Sequence, residues 1–150
     1  MVNSVDFAKY VLIKASQRNL HLNLTQLQKI LYICDGTLLA LGENLIGEHC
    51  RVWEHGPVYP KVYKWHDKNR NISLSEKDIA SDSLTEIMQS TAPRIIELAL
   101  DKFGKWTAVQ LSEWSHQPGS PWDIARSNTG MFSKISKDDM RSYFLGIVHV

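Results

Sequence analysis

The chain has 150 residues, of which 43% are hydrophobic and 22% charged, and its formal net charge at pH 7 is +1. A domain of this length buries roughly 68–70% of the surface of its unfolded chain, so it needs neither disulfides nor a structural metal. The composition argues against disorder, coiled coil and collagen-like repeats, and the small net charge against a whole-protein field that attracts nucleic acid or anionic lipid.

The chain also lacks the sequence signals of membrane insertion and secretion. No apolar run approaches the ~20 residues that span a bilayer. The segment Met1–Tyr10 has no basic region leading into an apolar stretch, as a signal peptide would. Cys34 and Cys50 lie in different predicted elements without metal-type spacing. We therefore expect one domain, covering residues 1–150, in a reduced cytoplasmic protein with no membrane partner, metal or cofactor.

Two helices are predicted in the first third of the chain. The first begins near Ser4, whose hydroxyl can cap it, and runs to about Gln17. The second runs from about Thr25 to Leu41 and has apolar residues on more than one face, which is typical of a central buried helix. Gly36 inside it costs about 1 kcal/mol relative to alanine, so we expect another element to pack closely there.

Short extended segments and a third helix are predicted next. Cys50–Trp53 is expected to be extended and is followed by a rigid Gly56-Pro57 turn. Pro60 can occupy the first turn of the third helix, because its missing N–H has no partner there. Beyond this helix the chain is polar, with a strand-like stretch at Ile72–Leu74.

The last part of the chain is predicted to be helical. A helix covers Leu84–Lys102, and Pro93 either divides it or starts a second piece. Three later helices are expected to start at polar caps, namely Thr107 with Gln110, Ser120 before Pro121, and Ser136 with Asp139. The tail Ile147–Val150 either pairs as a strand or frays. The predicted fold is therefore mainly α, a compact bundle of about six to seven helices with one or two very short β-strands near Cys50–Trp53 and Ile72–Leu74.

Catalytic chemistry has little support in the sequence. Ser115 and His116 are adjacent, which does not create the hydrogen bond that activates a serine, and no Gly-x-Ser-x-Gly elbow occurs. No glycine-rich phosphate loop and no paired metal-ligand spacing is present. We assign no catalytic, metal or cofactor residue and expect a non-enzyme. A hydrolase or nuclease that uses His55, His116 and Glu54 or Glu113 remains an alternative.

A second alternative is a nucleic-acid-binding regulator that acts through Lys61–Arg70. This segment interleaves cations with aromatic residues, as surfaces that bind single strands do. The competing interpretation is a helix whose aromatic side packs inward while its lysines face water. We favour the second interpretation, because nothing elsewhere in the sequence extends the basic patch.

Three ordered segments resemble one protein family. They are Leu24–Tyr32 with Gly36, Leu39 and Ala40, then Val52–Tyr63, and then Leu111–His116 with Pro121, Trp122 and Ala125. Together they resemble the Panacea domain, also known as the SocA-like antitoxin or GepA-like phage-associated domain. The resemblance implies a mostly helical cytoplasmic protein that neutralises a cognate toxin by direct binding, in one branch by delivering it to a Clp-type protease. It implies no catalytic residues.

Two surfaces are candidates for contact with such a partner. The segment Trp53–Tyr63 is stiffened by its prolines, which lowers the entropy lost on binding. It offers aromatic anchors within a basic rim: Trp53, His55, Tyr59, Lys61, Tyr63 and Lys64. A structural corner beneath the second helix is the open alternative for this segment. The other candidate is an exposed helix face bearing Gln28, Lys29 and Tyr32, for which helix solvation and a half-buried tyrosine are the alternative. Five residues are expected to have structural roles: Gly36, Gly56, Pro57, His116 and Trp122. For His116 the expected role is a hydrogen bond from its imidazole.

Overall fold

A computed structural model describes residues 1–70 and 72–147 of the chain. These residues form eight α-helices, one 3₁₀ turn at Glu76–Asp78 and one antiparallel pair of strands. The bounds are α1 Ser4–Gln17, α2 Leu24–Ala40, β1 Arg51–Trp53, β2 Gly56–Val58, α3 Pro60–Lys68, α4 Ser81–Gln89, α5 Ala92–Phe103, α6 Ala108–Ser115, α7 Pro121–Asn128 and α8 Lys137–Ile147. The mainly α prediction is confirmed, with one helix more than the predicted range.

Helix α2 lies at the centre of the fold, as its pattern predicted. It packs against α1, α5, α6, α8 and β2, so every face of its middle turns is covered. Leu27, Leu31 and Leu38 have no exposed surface. This central helix also carries polar side chains that hydrogen-bond to the neighbouring hairpin of β1 and β2 and to the residue that follows it.

The close approach expected at Gly36 is made by α8. A Cβ atom added at Gly36 would overlap the ring of Phe144, which is itself 1% exposed. The ring of Phe144 also lies edge-on to Tyr32, with the ring centres 5.3 Å apart. Glycine is therefore required at this position, because it lets the aromatic ring of α8 rest directly on the backbone of α2.

The helix starts follow local capping, with one correction. Asn3 caps α1 by accepting a hydrogen bond from Asp6 N, so the prediction of a Ser4 cap is wrong. Ser4 is already helical, and both its N–H and its hydroxyl donate to the carboxylate of Glu48 instead. The predicted caps of the later helices are confirmed, with hydrogen bonds to Thr107, Ser120 and Ser136.

The segment around Pro93 forms two helices rather than one. Pro93 lies in the first turn of α5, where its missing N–H breaks no helical hydrogen bond. The hydroxyl of Ser90 in the preceding bend accepts from Ala92 N at 3.0 Å. The second of the two predicted alternatives for Pro93 is thus confirmed, and it accounts for the additional helix.

The two strands form a tight hairpin, in register with Arg51 opposite Val58 and Trp53 opposite Gly56. The extended segment predicted near Cys50–Trp53 is confirmed. On the other edge of β1 the chain returns before α8, where Phe132 N donates to Val52 O at 2.7 Å and Ile135 N to Cys50 O at 2.9 Å.

The strand predicted at Ile72–Leu74 is wrong. These residues belong to no strand, and Ile72 is 49% exposed. An extended segment needs a ladder partner, and β1 already has β2 on one side and the returning chain on the other. The prediction for the tail falls mostly on residues 148–150, which lie outside the described residues.

Candidate functional site

An open cleft of about 480 Å³ lies between the start of α2, the hairpin turn and the segment that precedes α8. We call it the aromatic cleft. Its lining is mostly apolar, with a few polar side chains, and its volume is within the usual range for ligand sites. The residues that matter below are Lys29, Trp53, Val58, Tyr63, Met131 and Phe132.

One wall of the cleft is a cluster of aromatic rings. The ring of Trp53 lies 5.2 Å from that of Tyr63 and 6.3 Å from that of Phe132, measured between ring centres. Tyr63 is 43% exposed and Phe132 63% exposed, which is unusual for side chains of this size. The cluster is therefore packed on one side and open to solvent on the other.

Phe132 is held in a strained backbone conformation. Its φ of +65° lies in the left-handed region, which large L-residues rarely adopt. The conformation is fixed by the hydrogen bond from Phe132 N to Val52 O and by one from Arg51 Nη1 to Phe132 O at 3.0 Å. Backbone strain of this kind persists only where the surroundings determine it, and it is often found at functional sites.

Lys29 lies beneath the hairpin at the floor of the cleft. It is 1% exposed, and its Nζ donates to Pro57 O at 3.2 Å. Burial lowers the pKa of Lys29 from 10.5 to about 8. A Cβ at Gly56, whose φ is +118°, would overlap the Lys29 side chain and the hydroxyl of Ser115. Gly56 therefore allows the hairpin to lie directly on Lys29.

The hairpin is fastened to α2 by Gln28 and Asp35. The side-chain amide of Gln28 accepts a hydrogen bond from Tyr59 N at 2.8 Å and donates one to Tyr59 O at 3.1 Å. Both backbone polar groups of Tyr59 are therefore hydrogen-bonded. The hydroxyl of Tyr59 donates to the carboxylate of Asp35, and Tyr59 has no exposed surface. Within the segment Trp53–Tyr63, Tyr59 therefore has the structural role of the alternative interpretation, whereas Trp53 and Tyr63 remain partly exposed.

The exposed face expected on α2 is wrong. Gln28, Lys29 and Tyr32 are 2%, 1% and 0% exposed, because the hairpin, α6 and α8 cover this side of the helix. Burial likewise removes Tyr59 from the surface that a partner can touch. The apolar residues on several faces of α2 were the signal that its polar residues would also be buried.

His116 and Trp122 hold the hairpin turn from the other side. His116 Nε2 donates to Glu54 O at 3.0 Å, and Trp122 Nε1 donates to Trp53 O at 2.9 Å. The rings of His116 and Trp122 pack edge to face, with their centres 4.1 Å apart. Burial lowers the pKa of His116, which keeps the imidazole neutral with its one N–H directed at the carbonyl. The structural hydrogen bond predicted for His116 is confirmed.

The two histidines of the hydrolase alternative are not brought together at one pocket. His55 and Glu54 are exposed at the rim of the cleft, and His55 also lines a smaller open groove with Glu113, but His116 belongs to neither lining. Among residues 1–70 and 72–147, no group of three or more His, Cys, Asp and Glu side chains could hold a metal ion. Cys34 and Cys50 are free and buried.

The basic segment divides into two faces. Lys61 and Lys64 are both exposed, and Lys61 Nζ lies 3.6 Å from Glu48 Oε1. Trp65 is half-buried beside α1, where Lys9 Nζ lies 5.8 Å from its ring centre. The lysines therefore face water while Trp65 packs inward. This arrangement is the one expected for an ordinary surface helix, the interpretation that we favoured over a nucleic-acid-binding surface.

Sequence reasoning missed Met131 and Phe132. They lie in a turn between α7 and α8, far along the chain from the hairpin that they complete, and they are 40% and 63% exposed. The available signal was a pair of large apolar residues in a segment otherwise made of Ser, Asn, Thr, Gly and Lys. Because Phe132 packs on Trp53 with only part of its surface, the exposed remainder of this pair is available for contact with another molecule.

The fold and the cleft together define a small helical domain with a preorganised aromatic surface. The family model described as Antitoxin SocA-like, Panacea domain matches residues 27–123, and the chain belongs to this family. A relative, Antitoxin SocA of Caulobacter vibrioides (strain NA1000 / CB15N), is 30% identical over 131 residues, which cover 82% of this chain and 70% of the relative. No solved structure matches the chain. None of the described helices is long and apolar enough to cross a membrane.

Proposed function

We propose that this protein is an antitoxin that neutralises a cognate protein toxin by binding it directly through the aromatic cleft. The observation that carries the proposal is the exposed cluster of Trp53, Tyr63 and Phe132 on a chain of the SocA-like antitoxin family. Exposed aromatic side chains that are held rigidly are the typical anchors of protein interfaces.

Rigidity of the cleft supports this role. The hairpin is fixed through hydrogen bonds to the backbone of residues 53–59, from Gln28 of α2, from His116 immediately after α6 and from Trp122 of α7. Because these contacts exist before binding, little further ordering is needed when a partner docks. Such a surface can give high affinity from a modest contact area.

Cations near the cleft would act mainly on the rate of association. Lys61 and Lys64 are exposed on α3, the helix that carries Tyr63, although neither of them lines the cleft. Charges at the rim of an interface steer the encounter and set its salt dependence more than the final affinity. These two lysines favour a toxin whose surface is acidic beside the apolar patch that would enter the cleft.

The proposal includes a route by which binding removes the toxin. The resemblance to the family implies delivery to a Clp-type ATP-dependent protease, which would place the protein in the cytoplasm. The toxin's half-life should then shorten when this protein is present and lengthen again when the protease is inactivated. An unchanged half-life together with neutralisation would favour inhibition by binding alone.

The direct test is co-expression with the product of the neighbouring gene, followed by calorimetric titration of the two purified proteins. Tyr63→Ala and Phe132→Ala should each weaken binding about 30-fold, as expected for hot-spot residues worth about 2 kcal/mol. Both variants should melt as the unaltered protein does, because each removes an exposed side chain.

Leu145→Ala is the matched control, since Leu145 is 54% exposed on α8 and outside the cleft lining. Its affinity should match that of the unaltered protein. Wild-type affinity in both cleft variants would contradict the proposed surface, and absence of binding and neutralisation by the unaltered protein would contradict the proposed function.

A further inference from the structure

A single buried ammonium group lies beside the aromatic cleft without an acidic partner. Lys29 is 1% exposed, and it forms no ion pair with any carboxylate of the described residues. Its hydrogen-bond partner is one backbone carbonyl, that of Pro57. An ammonium has three donors, so this side chain retains donor capacity at the wall of an open cleft.

Attachment of the hairpin does not require this charge. The neighbouring Gln28 already joins α2 to the backbone of Tyr59 with two hydrogen bonds from a neutral amide. A neutral side chain at position 29 could donate to the same carbonyl without the cost of taking a charge out of water. Buried charges are ordinarily paired, because an unpaired one is strongly disfavoured. The charge at Lys29 therefore indicates a ligand that supplies the missing anion.

The rest of the cleft indicates the body to which that anion is attached. Trp53, Tyr63, Phe132 and Val58 give the cleft an apolar surface on several sides. A volume of about 480 Å³ is sufficient for one aromatic ring or branched chain with a short linker. Flat rings of this kind pack well against edge-on aromatic neighbours. An inorganic anion would leave most of this surface uncovered.

We propose that the aromatic cleft is a binding site for an organic carboxylate carried on an aromatic or branched apolar body. Lys29 provides the counter-charge for the carboxylate, and Trp53, Tyr63 and Phe132 contact the apolar body. This ligand chemistry has two sources, a free organic acid and the carboxyl-terminal residue of a polypeptide. The site goes beyond the proposed function, because it can be tested without any toxin.

Protonation of Lys29 is consistent with this role. Its pKa of about 8 leaves the amine mostly protonated at pH 7, so the positive charge is available where the carboxylate would lie. Neither flanking polar group is paired with this ammonium: Glu54 is exposed at the rim, and the Ser115 hydroxyl donates to Ser112 O at 2.8 Å and forms no hydrogen bond with Lys29.

The first experiment compares two probes of almost identical shape. 3-Phenylpropionate and 3-phenylpropionamide are titrated separately into the unaltered full chain at pH 7, followed by amide chemical shifts in two-dimensional NMR spectra. The acid should bind at least 10-fold more tightly than the amide, with shifts centred on Trp53, Tyr63 and Phe132. Equal affinities, or no binding of the acid, would overturn the proposal.

Two variants then separate the charge from the apolar contact. Lys29→Gln should abolish the preference for the acid over the amide, and Phe132→Ala should weaken both probes together. Lys102→Gln is the control, because Lys102 lines a different apolar groove, beside Leu98 and Phe144. An unchanged preference in Lys29→Gln would overturn the role of Lys29. If that variant does not fold, the acid–amide comparison and Phe132→Ala remain decisive.

The source of the ligand is separated by a second pair of probes. Acetyl-Ala-Ala-Phe is titrated with a free terminal carboxylate and with a terminal amide. Tighter binding of the free peptide than of 3-phenylpropionate identifies a polypeptide terminus as the ligand, and weaker binding identifies a free acid. In both cases the amidated peptide should bind at least 10-fold less well, and equal binding of the two peptides would contradict the site.

Discussion

Asp35 is an acidic side chain inside the central helix, at the point where Tyr59 is fastened. One of its oxygens accepts from the Tyr59 hydroxyl, and the other, Oδ1, has no hydrogen-bond partner among the described residues. Burial raises the pKa of Asp35 from 3.8 to about 6, and the hydrogen bond from Tyr59 opposes part of that rise. The folded protein therefore holds a proton on Asp35 more tightly than the unfolded chain does.

This difference predicts a pH-dependent stability. With a raised pKa in the folded state, the favourable contribution of protonated Asp35 is complete below about pH 4 and is lost as pH rises through about 6. Asp35→Asn removes the titration. The free energy of unfolding of the variant relative to the unaltered protein should rise by about 2 kcal/mol between pH 4 and pH 7, measured by urea denaturation.

The exposed Asp82→Asn on α4 is the matched control for this series, and its difference from the unaltered protein should be nearly constant with pH. Subtraction cancels the pH dependence that the two proteins share. A constant difference for Asp35→Asn would show that the charge at this position is not buried in solution.

The contact between helices α2 and α8 is the close approach that Gly36 predicted from the sequence. Gly36→Ala would gain about 1 kcal/mol of helix propensity, but its Cβ would overlap the Phe144 ring. Because overpacking of a closed core costs about 1–3 kcal/mol, which matches or exceeds that gain, we expect net destabilisation. Thermal and urea melts measure it, and Phe144→Leu in the same chain should restore part of the loss.

Gly146→Ala serves as the comparison within the same pair of helices. Nothing lies within 4 Å of a Cβ built at Gly146 in α8, so this substitution should be neutral or stabilise by up to about 1 kcal/mol. Stabilisation by Gly36→Ala as well would mean that α8 does not pack on α2 as described.

Elements specified by nearby residues could be predicted, and elements specified by distant ones could not. The capping box of Thr107 and Gln110 depends on four consecutive positions, so it is visible in the sequence. The apolar spacing of α2 identified the central helix for the same reason. Strand β2, by contrast, is a strand only because Arg51–Trp53 lies opposite to it, and its Gly-Pro-Val sequence has no alternation that would indicate pairing.

The candidate site divides in the same way. Trp53, His55 and Tyr63 are near one another in sequence and were predicted as one surface. The burial of Gln28, Lys29 and Tyr59 depends on the hairpin lying across α2, which no local pattern encodes. Phe132 joins the cleft through hydrogen bonds to β1, about eighty residues earlier, and brings the adjacent Met131 with it, so their role follows from tertiary structure alone.

At the scale of the whole molecule, the charge distribution matters because the net charge is only +1. Any electrostatic attraction of a partner must therefore come from a local cluster. Lys61→Glu combined with Lys64→Glu should slow association with the toxin and flatten its salt dependence, with a smaller effect on dissociation. Stopped-flow or surface plasmon resonance measurements at several salt concentrations would separate the two rates.

A second double variant controls for the change of net charge. Lys102→Glu with Lys105→Glu alters the total by the same amount at the end of α5, away from the cleft lining. It should leave the association rate close to that of the unaltered protein. Equal slowing by both double variants would attribute the effect to total charge and not to the local charges of Lys61 and Lys64.

The return of the chain along β1 also determines when the cleft exists. The hairpin and Tyr63 are synthesised in the first half of translation, but Phe132 is held by Val52 and Arg51 only after most of the chain has left the ribosome. A nascent or truncated chain that stops before this segment has two aromatic rings of the cluster and lacks the third. The complete aromatic cluster thus forms only once the segment containing Phe132 has been synthesised and has paired with β1.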